Sequence, residues 1–390
     1  MTNTTPTTLI LTGLRCDKGM KVLTVVGTRP EIIRMAAVLK RLDSTPGVEH
    51  VLVHTGQNWD HRLNGLFFEE LGLRTPDHML EVDTSSLGAT LGDILRKTES
   101  VLEEENPDAF LVLGDTNSAF SLIMAKRIMI PTYHMEAGNR CFDANVPEET
   151  NRRIVDHTAD FNLVYTEHAR RNLLAEGLEA RRIVVTGSPL REVLDMYRSG
   201  IDESEIFEQL GVSQGRYFVV SAHRQENVDN PLRLELLIQS LNLIAETWSY
   251  PVLVSTHPRM RKRMEELGVT GPHELVQFHE PFGFLDYNKL QLESACALSD
   301  SGTIAEESTI LGFPAVTLRG AIERPEALDT GSILMVDLEP ERVVAGVRFV
   351  MNRQGKPQVP VDYCIPNTSE RVVNFILSTA PQHKFWSGLR

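Results

Sequence analysis

The stretch KVLTVVGTRPEIIRMAAVLKRL, residues 21–42, decides the fold class. Its first six residues are mostly apolar and β-branched, which predicts a buried strand that ends before Gly27. A helix is predicted to follow as far as about Leu42, with Pro30 at its first position and Glu31 in its positively polarised first turn. A buried strand followed at once by a helix is the beginning of a βαβ unit, and such units build parallel sheets.

The same alternation continues along the chain. Strand-like runs begin at residues 48, 109, 131 and 161, and again at 216, 251, 274, 295 and 314, with helical patterns between most of them. A single core rarely grows beyond ~250–300 residues. We therefore predict two doubly wound, Rossmann-like α/β domains that face each other across a cleft. The predicted segments are an extension at 1–19, domains at 20–190 and 191–366 with a polar linker near 196–215, and a tail at 367–390 whose helix, about 368–379, crosses back to the first domain.

Composition excludes several classes of protein. The 390 residues are 42% hydrophobic and 24% charged, which is ordinary for a globular chain, and the net charge of -14 argues against a nucleic acid or an anionic membrane as the main partner. The four cysteines form no CxxC pair and no metal-ligand spacing, which favours free thiols in a reducing cytoplasm and no metal site. No apolar run reaches ~18 residues, and the first 19 residues lack the basic region of a signal peptide.

Polar residues gather at the carboxyl ends of the predicted strands. Ligands of doubly wound folds bind at these ends, so such residues are candidates for a site. In the first half they are Arg29, Arg34, Asp115 and Glu136; in the second half they are His223, Arg224, His257 and the turn Ser301–Thr303, with Glu306 and Glu307 one turn further on.

Several of these residues also have a purely structural interpretation, whereas Arg29 has none. GTRPE contains one glycine and is not a GxGxxG fingerprint, so no dinucleotide cofactor is predicted. Asp115 could cap the helix that follows it, and Ser301–Thr303 could be a helix cap or could offer backbone amides to a phosphate. Of Glu148 and Glu149, one is expected to serve the dipole of its helix. Glu136 precedes Ala137–Gly138, which leave room for a ligand, and its pKa should be raised unless it is paired.

An ordered set of short motifs now supports a resemblance. GTRPE, GDT, EAGNR, PEE-NR, a strand ending in AHR, DSGTIAEES and ERPEA follow one another from about Met20 to beyond Ala327. Each is weak alone, but together they resemble the non-hydrolysing UDP-N-acetylglucosamine 2-epimerase family. EAGNRCFD and PEETNRRIVDH look closest to the subgroup that forms UDP-N-acetyl-L-fucosamine from its talosamine epimer.

The resemblance implies a GT-B-like fold, UDP bound between the two domains, a homodimer, and no cofactor. It places the catalytic groups on Asp115, Glu136, Glu148 and His223. It places the phosphate-contacting arginine on Arg29, the phosphate-binding turn on Ser301, Gly302 and Thr303, and the ribose-binding glutamate on Glu307. Further substrate contacts are expected from Arg34, Arg140, Arg224, His257, Phe282 and Arg324.

Three positions depart from the family pattern. Arg34 stands where the family has a lysine, and the two cations are not interchangeable at a phosphate. Thr303 replaces the last glycine of the family's SGG turn, which narrows the approach to the backbone. The segment tied in the family to an allosteric UDP-N-acetylglucosamine site reads QNWDH at residues 57–61, so that site is not carried over.

The resemblance implies an isomerase that inverts C2 of a UDP-2-acetamido sugar for surface polysaccharides such as O-antigen or capsule. The substrate is either UDP-N-acetylglucosamine or the 6-deoxy L-talosamine nucleotide. The alternatives are a GT-B glycosyltransferase, a hydrolysing epimerase that releases free sugar, and a nucleotide-sugar sensor without activity.

Overall fold

The computed structural model describes residues 19–57, 67–222, 224–256, 258–266, 272–355 and 358–389. The predicted extension, apart from Gly19, lies outside these residues, as do His223 and His257. The described chain folds around two parallel β-sheets, one in each half of the sequence. The α/β class and the two Rossmann-like units predicted from the sequence are confirmed.

The first sheet has seven parallel strands in the order β3-β2-β1-β4-β5-β6-β7. Its strands are β1 (Met20–Val26), β2 (Val48–His54), β3 (His78–Met79), β4 (Ala109–Leu113), β5 (Thr132–Met135), β6 (Phe161–Val164) and β7 (Ile183–Val185). The second sheet has six parallel strands in the order β10-β9-β8-β11-β12-β13. Its strands are β8 (Phe218–Ser221), β9 (Val252–Ser255), β10 (Val276–His279), β11 (Cys296–Ser299), β12 (Ala315–Thr317) and β13 (Leu334–Met335).

Helices connect the strands and cover the sheets. They are α1 (Arg29–Ser44), α2 (Leu87–Glu105), α3 (Ser121–Arg127), α4 (Pro147–Thr158), α5 (Glu167–Ala175), α6 (Leu190–Met196), α7 (Arg198–Asp202), α8 (Ile206–Leu210), α9 (Gln225–Val228), α10 (Pro231–Trp248), α11 (Pro258–Glu266), α12 (Phe284–Leu292), α13 (Ile304–Leu311), α14 (Glu326–Asp329), α15 (Pro340–Met351), α16 (Thr368–Thr379) and α17 (His383–Trp386). Single 3₁₀ turns lie at Asn117–Phe120, Ala180–Arg182, Val361–Cys364 and Ala380–Gln382. In the described part of the chain, no helix is both long enough and apolar enough to cross a bilayer.

Strand β1 shows why this sequence builds a two-sided sheet. Successive side chains of a strand point to opposite faces, and a strand that is covered on both faces is apolar throughout. Val22 and Val26 pack into the core that contains α1, whereas Leu23 and Val25 pack into the separate core beneath α2 and α3. Both faces of β1 are therefore buried.

The strand order reverses direction beside β1 in the first sheet and beside β8 in the second. Connections leave such a pair of strands in opposite directions, which opens a crevice at their carboxyl ends. In the first sheet the crevice lies between the turn after β1, which carries Arg29, and the turn after β4, which carries Asp115. In the second sheet it lies between β8 and β11, whose following turns carry Arg224 and Ser301.

Two segments add detail at the predicted boundaries. The predicted linker near 196–215 contains the short helices α7 and α8, which bury Ile201 and Ile206, so it is more ordered than its polar composition indicated. Helix α16 places Val372 and Ile376 in the same core as α1 of the first half. The exact domain limits stay a prediction.

Candidate active site

The turn after β1 presents a cation, Arg29, that has no anionic partner among the residues that the structure describes. Helix α1 begins at Arg29 with Pro30 in its first positions, as the sequence predicted. The Arg29 guanidinium lies 5.5 Å from the ring centroid of Phe67, and no hydrogen bond or ion pair holds it within the described residues. Burial lowers the pKa of Arg29, which is the effect of removing a cation from water without a counter-charge. An anionic ligand would supply that charge.

Glu136 forms the centre of a buried charge cluster between the two halves of the chain. It follows β5 directly, with a backbone φ of 64°, a left-handed conformation that is costly for a residue with a side chain. One carboxylate oxygen accepts a hydrogen bond from Arg34 Nη1, and the other accepts one from Arg324 Nη2, which comes from the second half. Burial alone would raise the pKa of Glu136, but the two guanidinium groups lower it to about 2. The carboxylate is therefore ionised.

Gly138 has a different purpose in the structure from the one that its sequence position indicated. Its φ is 80°, and a Cβ at this position would lie 2.5 Å from the backbone oxygen of Ala169. The glycine therefore allows close packing against helix α5 and does not make room for a ligand.

Several buried polar atoms around this cluster make no hydrogen bond with any residue in the described part of the chain. They are Arg34 Nε, Arg324 Nε, the Tyr165 hydroxyl and Glu306 Oε1. Arg324 Nε lies 3.3 Å from Glu306 Oε1, but the two atoms are not in hydrogen-bonding geometry. An unsatisfied buried donor or acceptor costs about 1–3 kcal/mol, so a group of four is expected where a polar ligand or water binds.

Asp115 follows Gly114 at the end of β4 and is held by helix α4. Its Oδ2 accepts a hydrogen bond of 2.7 Å from Arg152 Nε. The alternative that Asp115 only caps the next turn is wrong, because Thr116 is the cap residue there and its side chain accepts from Ser118 N. Burial raises the pKa of the Asp115 carboxyl, with Arg152 acting against it and Glu136 reinforcing it.

The two adjacent glutamates of α4 differ in their surroundings. Glu149 is buried and accepts hydrogen bonds from Cys141 N at 3.1 Å and from Arg152 at 3.0 Å. Glu148 is partly exposed and has no hydrogen bond or ion pair with any residue that the structure describes. Its negative charge contributes to the raised pKa of Asp115, which places it near that carboxyl. Glu149 is the structural member of the pair, and Glu148 is free to meet a ligand.

Arg140 is part of the interior. Its guanidinium is fully buried and donates to Asp156 at 2.7 Å and to Glu176 at 2.7 and 2.8 Å. All three guanidinium nitrogens are occupied by protein acceptors. Arg140 therefore has a structural role, in which it ties the segment after β5 to α4 and to the residue after α5, and its predicted contact with the substrate stays a prediction.

The second half contributes a turn and a further set of paired charges. Arg224 donates from its backbone N to Asp300 Oδ2 at 3.0 Å and from Nη2 to Glu323 at 3.2 Å. Gly302 lies so close to Glu323 that a Cβ would be 2.2 Å from its carboxylate oxygen. Thr303 is the cap residue of α13 and makes no side-chain cap bond, so the phosphate alternative for this turn remains open.

The remaining predicted contacts surround this turn. Glu307 is half-buried and accepts a hydrogen bond of 2.7 Å from Gln291 Nε2. The Phe282 ring lies 5.5 Å from that of His279 at an interplanar angle of 38°. Glu323 and Arg152 were not predicted as site residues, although the motifs ERPEA and PEE-NR contain them.

The described residues hold no group of three or more His, Cys, Asp or Glu side chains arranged for a metal ion. What they bring together is a set of cations and carboxylates at the facing ends of two parallel sheets. Fold and site define a two-domain α/β enzyme of GT-B-like architecture whose cleft is built for an anionic ligand.

Comparisons with known proteins identify the family. The family described as UDP-N-acetylglucosamine 2-epimerase matches residues 40–377. The structure of UDP-N-acetylglucosamine 2-epimerase from Rickettsia bellii is 42% identical, with a TM-score of 0.85, over 94% of this chain and 98% of that one. The Methanocaldococcus jannaschii UDP-GlcNAc 2-epimerase, solved in complex with UDP-GlcNAc and UDP, is 32% identical, with a TM-score of 0.87, over 92% of this chain and 100% of that one. The UDP-2,3-diacetamido-2,3-dideoxy-D-glucuronate 2-epimerase of Pseudomonas aeruginosa is 33% identical over 86% of this chain and 93% of its own length.

The chain belongs to the UDP-N-acetylglucosamine 2-epimerase family, whose members are isomerases, and the predicted family is confirmed.

Proposed function

We propose that this protein inverts C2 of a UDP-2-acetamido sugar by releasing UDP and adding it back. The C2 proton is not adjacent to a carbonyl group, so a base alone cannot remove it readily. When the C1–O bond breaks, its electron pair leaves on UDP, a carboxylate takes the C2 proton, and a C1=C2 double bond forms. Return of UDP to C1 and of a proton to the opposite face of C2 gives the epimer.

The observation that carries this proposal is the interdomain cluster of Arg34, Glu136 and Arg324, with its unsatisfied buried donors. A diphosphate that leaves gains negative charge, and preorganised cations stabilise that charge most in a site closed to water. Arg29 has no partner in the described chain and supplies a further cation. Arg224, the turn Ser301–Thr303 and His223 are proposed to complete the UDP site. Each tenfold in rate requires about 1.4 kcal/mol of such stabilisation.

Proton removal and return on opposite faces require carboxyl groups in different states. Glu136 is held ionised by its two arginines, whereas the raised pKa of Asp115 favours a bound proton. We assign proton transfer to Asp115 and Glu148, which are partly exposed, whereas Glu136 is buried. Glu136 aligns Arg34 and Arg324 for the leaving group.

The substrate is proposed to be UDP-N-acetylglucosamine, with UDP-N-acetylmannosamine as its epimer, or the 6-deoxy L-talosamine nucleotide, with UDP-N-acetyl-L-fucosamine as its epimer. The first pair is supported by the relatives' names and the second by EAGNRCFD at residues 136–143 with its flanking motif. The Glu307–Gln291 pair and Phe282 are proposed to hold the ribose and the uracil ring. We further propose a homodimer that works in the cytoplasm on precursors of surface polysaccharides such as O-antigen or capsule.

The test is incubation with each UDP-sugar alone in D2O, followed by NMR at C2. Deuterium at C2, with both epimers present and no acceptor added, is the expected result. Scrambling of an oxygen isotope between the anomeric bridge and the non-bridging phosphate positions would show that the C1–O bond breaks and re-forms. An intact bridge during turnover would overturn the proposal.

The same experiment separates the alternatives. A glycosyltransferase would leave C2 unlabelled until an acceptor is added, and a hydrolysing epimerase would accumulate UDP and free sugar. A sensor would bind UDP and exchange nothing. The variant Asp115→Asn is the matched control, because it removes one proton-transfer group and leaves Arg29 and the interdomain cluster in place.

A further inference from the structure

Glu31 was interpreted from the sequence as a residue of the helix start, and the structure gives it a second set of contacts. One oxygen, Oε2, accepts from the backbone N–H groups of Gly27 at 2.5 Å and Thr28 at 2.9 Å. The bond from Thr28, the N-cap residue of α1, is the one that a glutamate makes in a capping box. The other oxygen, Oε1, accepts from the hydroxyls of Thr116 and Ser118, the latter at 2.9 Å.

These two groups of donors belong to different turns of the site. Gly27 and Thr28 precede Arg29 after strand β1, whereas Thr116 follows Asp115 after strand β4. Strands β1 and β4 are neighbours in the sheet, so both turns open at the same edge. The carboxylate of Glu31 therefore joins the turn that carries Arg29 to the turn that carries Asp115, a proposed proton-transfer group.

The Glu31 side chain and the turn after β1 are packed so tightly that neither can adopt another position without displacing its neighbours. Glu31 is 2% exposed. A Cβ on Gly27 would lie 2.2 Å from Thr55 Oγ1 and 2.8 Å from Ser118 Oγ, so the turn after β1 lies directly against its neighbours. Gln57, after β2, donates to Ser118 at 3.1 Å and so adds the third adjacent strand to the same network.

Asp115 is therefore held from two sides. Helix α4 fixes its carboxylate through Arg152, and Asn151 donates to its backbone oxygen at 2.8 Å. Glu31 fixes the following residue, Thr116, from the opposite side. A buried carboxyl group with several hydrogen bonds is held rigidly, and removing its partners leaves an unsatisfied polar group in the interior.

We propose that Glu31 is a positioning residue for the reaction, which sets the Asp115 carboxyl relative to the anion site at Arg29 by bridging their two turns. The inference rests on the proposed epimerase function. Glu31 acts through Thr116 and does not itself touch the sugar, so its loss should lower kcat more than it raises KM.

The test compares Thr116→Val, which removes the bridging hydroxyl together with the cap bond that it accepts from Ser118 N and leaves the capping box of α1 intact, with Thr116→Ser, which retains the hydroxyl and both bonds. We expect Thr116→Val to lower kcat about tenfold or more with KM within about threefold, and Thr116→Ser to restore most of the activity. Glu31→Gln should lower kcat as well. The double variant Glu31→Gln/Thr116→Val should lose clearly less than the product of the two single losses, because both changes break one bridge. Glu99→Gln, on the exposed face of α2, is the control for a lost carboxylate.

Equal kcat values for wild type and Thr116→Val, or losses that multiply in the double variant, would overturn the inference. Wild-type protein that exchanges nothing at C2 would instead overturn the proposed function. In that case the ¹³C titration of the Asp115 carboxyl decides the positioning role. The midpoint of this titration should move by about half a pH unit or more in Thr116→Val and should stay the same in Thr116→Ser. Neither variant changes the charged groups that act on Asp115, which are Arg152, Glu136, Glu148 and Glu323. An unmoved midpoint would contradict it.

Discussion

Replacing Glu136 by glutamine should destabilise the protein by an amount that depends on pH. The pKa of Glu136 falls from an ordinary 4.5 to about 2 in the fold, because the two guanidinium groups outweigh its burial. Each pKa unit is worth about 1.4 kcal/mol, so the ionised form contributes about 3 kcal/mol. Glu136→Gln removes this charge and leaves Arg34 and Arg324 buried without their common partner.

The sign of the pH dependence follows from the lowered pKa. A carboxyl group of this kind stabilises the fold fully above its unfolded pKa, and the contribution is lost as pH falls through the folded value. The difference in the free energy of unfolding between wild type and Glu136→Gln should be about 3 kcal/mol at pH 7 and about half of that near pH 3.

Urea unfolding, followed by tryptophan fluorescence at both pH values, measures this difference. Glu148→Gln is the matched control, because Glu148 has no partner in the described chain and its replacement should leave stability unchanged while it abolishes most turnover. Equal unfolding midpoints for Glu136→Gln and wild type at pH 7 would refute the charge cluster. A difference that does not shrink in acid would refute the assigned pKa.

Three further predictions concern the ligand. Arg29→Ala should weaken UDP binding about 10- to 100-fold by calorimetry, because a charge-assisted contact is lost; unchanged affinity would remove Arg29 from the site. Asp115→Asn should lower kcat about 100-fold or more while the Kd for UDP stays within about threefold, since the carboxyl moves protons and does not hold the nucleotide; near-normal turnover would contradict its role. Gly302→Ala should reduce both UDP affinity and thermal stability, because the added Cβ meets Glu323 at 2.2 Å, whereas Gly320→Ala has nothing within 4 Å and should match wild type in both assays.

Local pattern was enough to predict the elements that are long and apolar. KVLTVV was predicted as a strand and became β1, and the helices predicted to end at about Leu42 and to span 368–379 were found within a residue or two. The short strands β3, β7 and β13 were not predicted, because two or three residues carry no periodic signal. They form through pairing with a neighbouring strand, which is information that the local sequence does not contain.

In the candidate site, too, the local sequence could locate some residues but could not show the contacts that they make in the fold. The rule that polar residues at strand ends line a crevice located Arg29, Asp115 and Glu136. It could not show that Glu136 binds Arg324, a residue 188 positions away. It also could not separate Arg140 from the arginines of the cleft, because only the fold shows that Asp156 and Glu176 enclose its guanidinium.

The pairing of Glu136 with Arg324 has a consequence for the order of events. The two residues come from different halves of the chain, so a cleft that opens to admit a nucleotide must separate them. Separation exposes both charges to water, which offsets part of the lost attraction. An entering diphosphate then offers Arg324 a second anion in place of Glu136, and closure around it satisfies Arg324 Nε, which makes no hydrogen bond within the described residues. Binding of the leaving group and closure of the cleft would therefore be one step, which is what a reaction that releases its nucleotide and must recapture it requires.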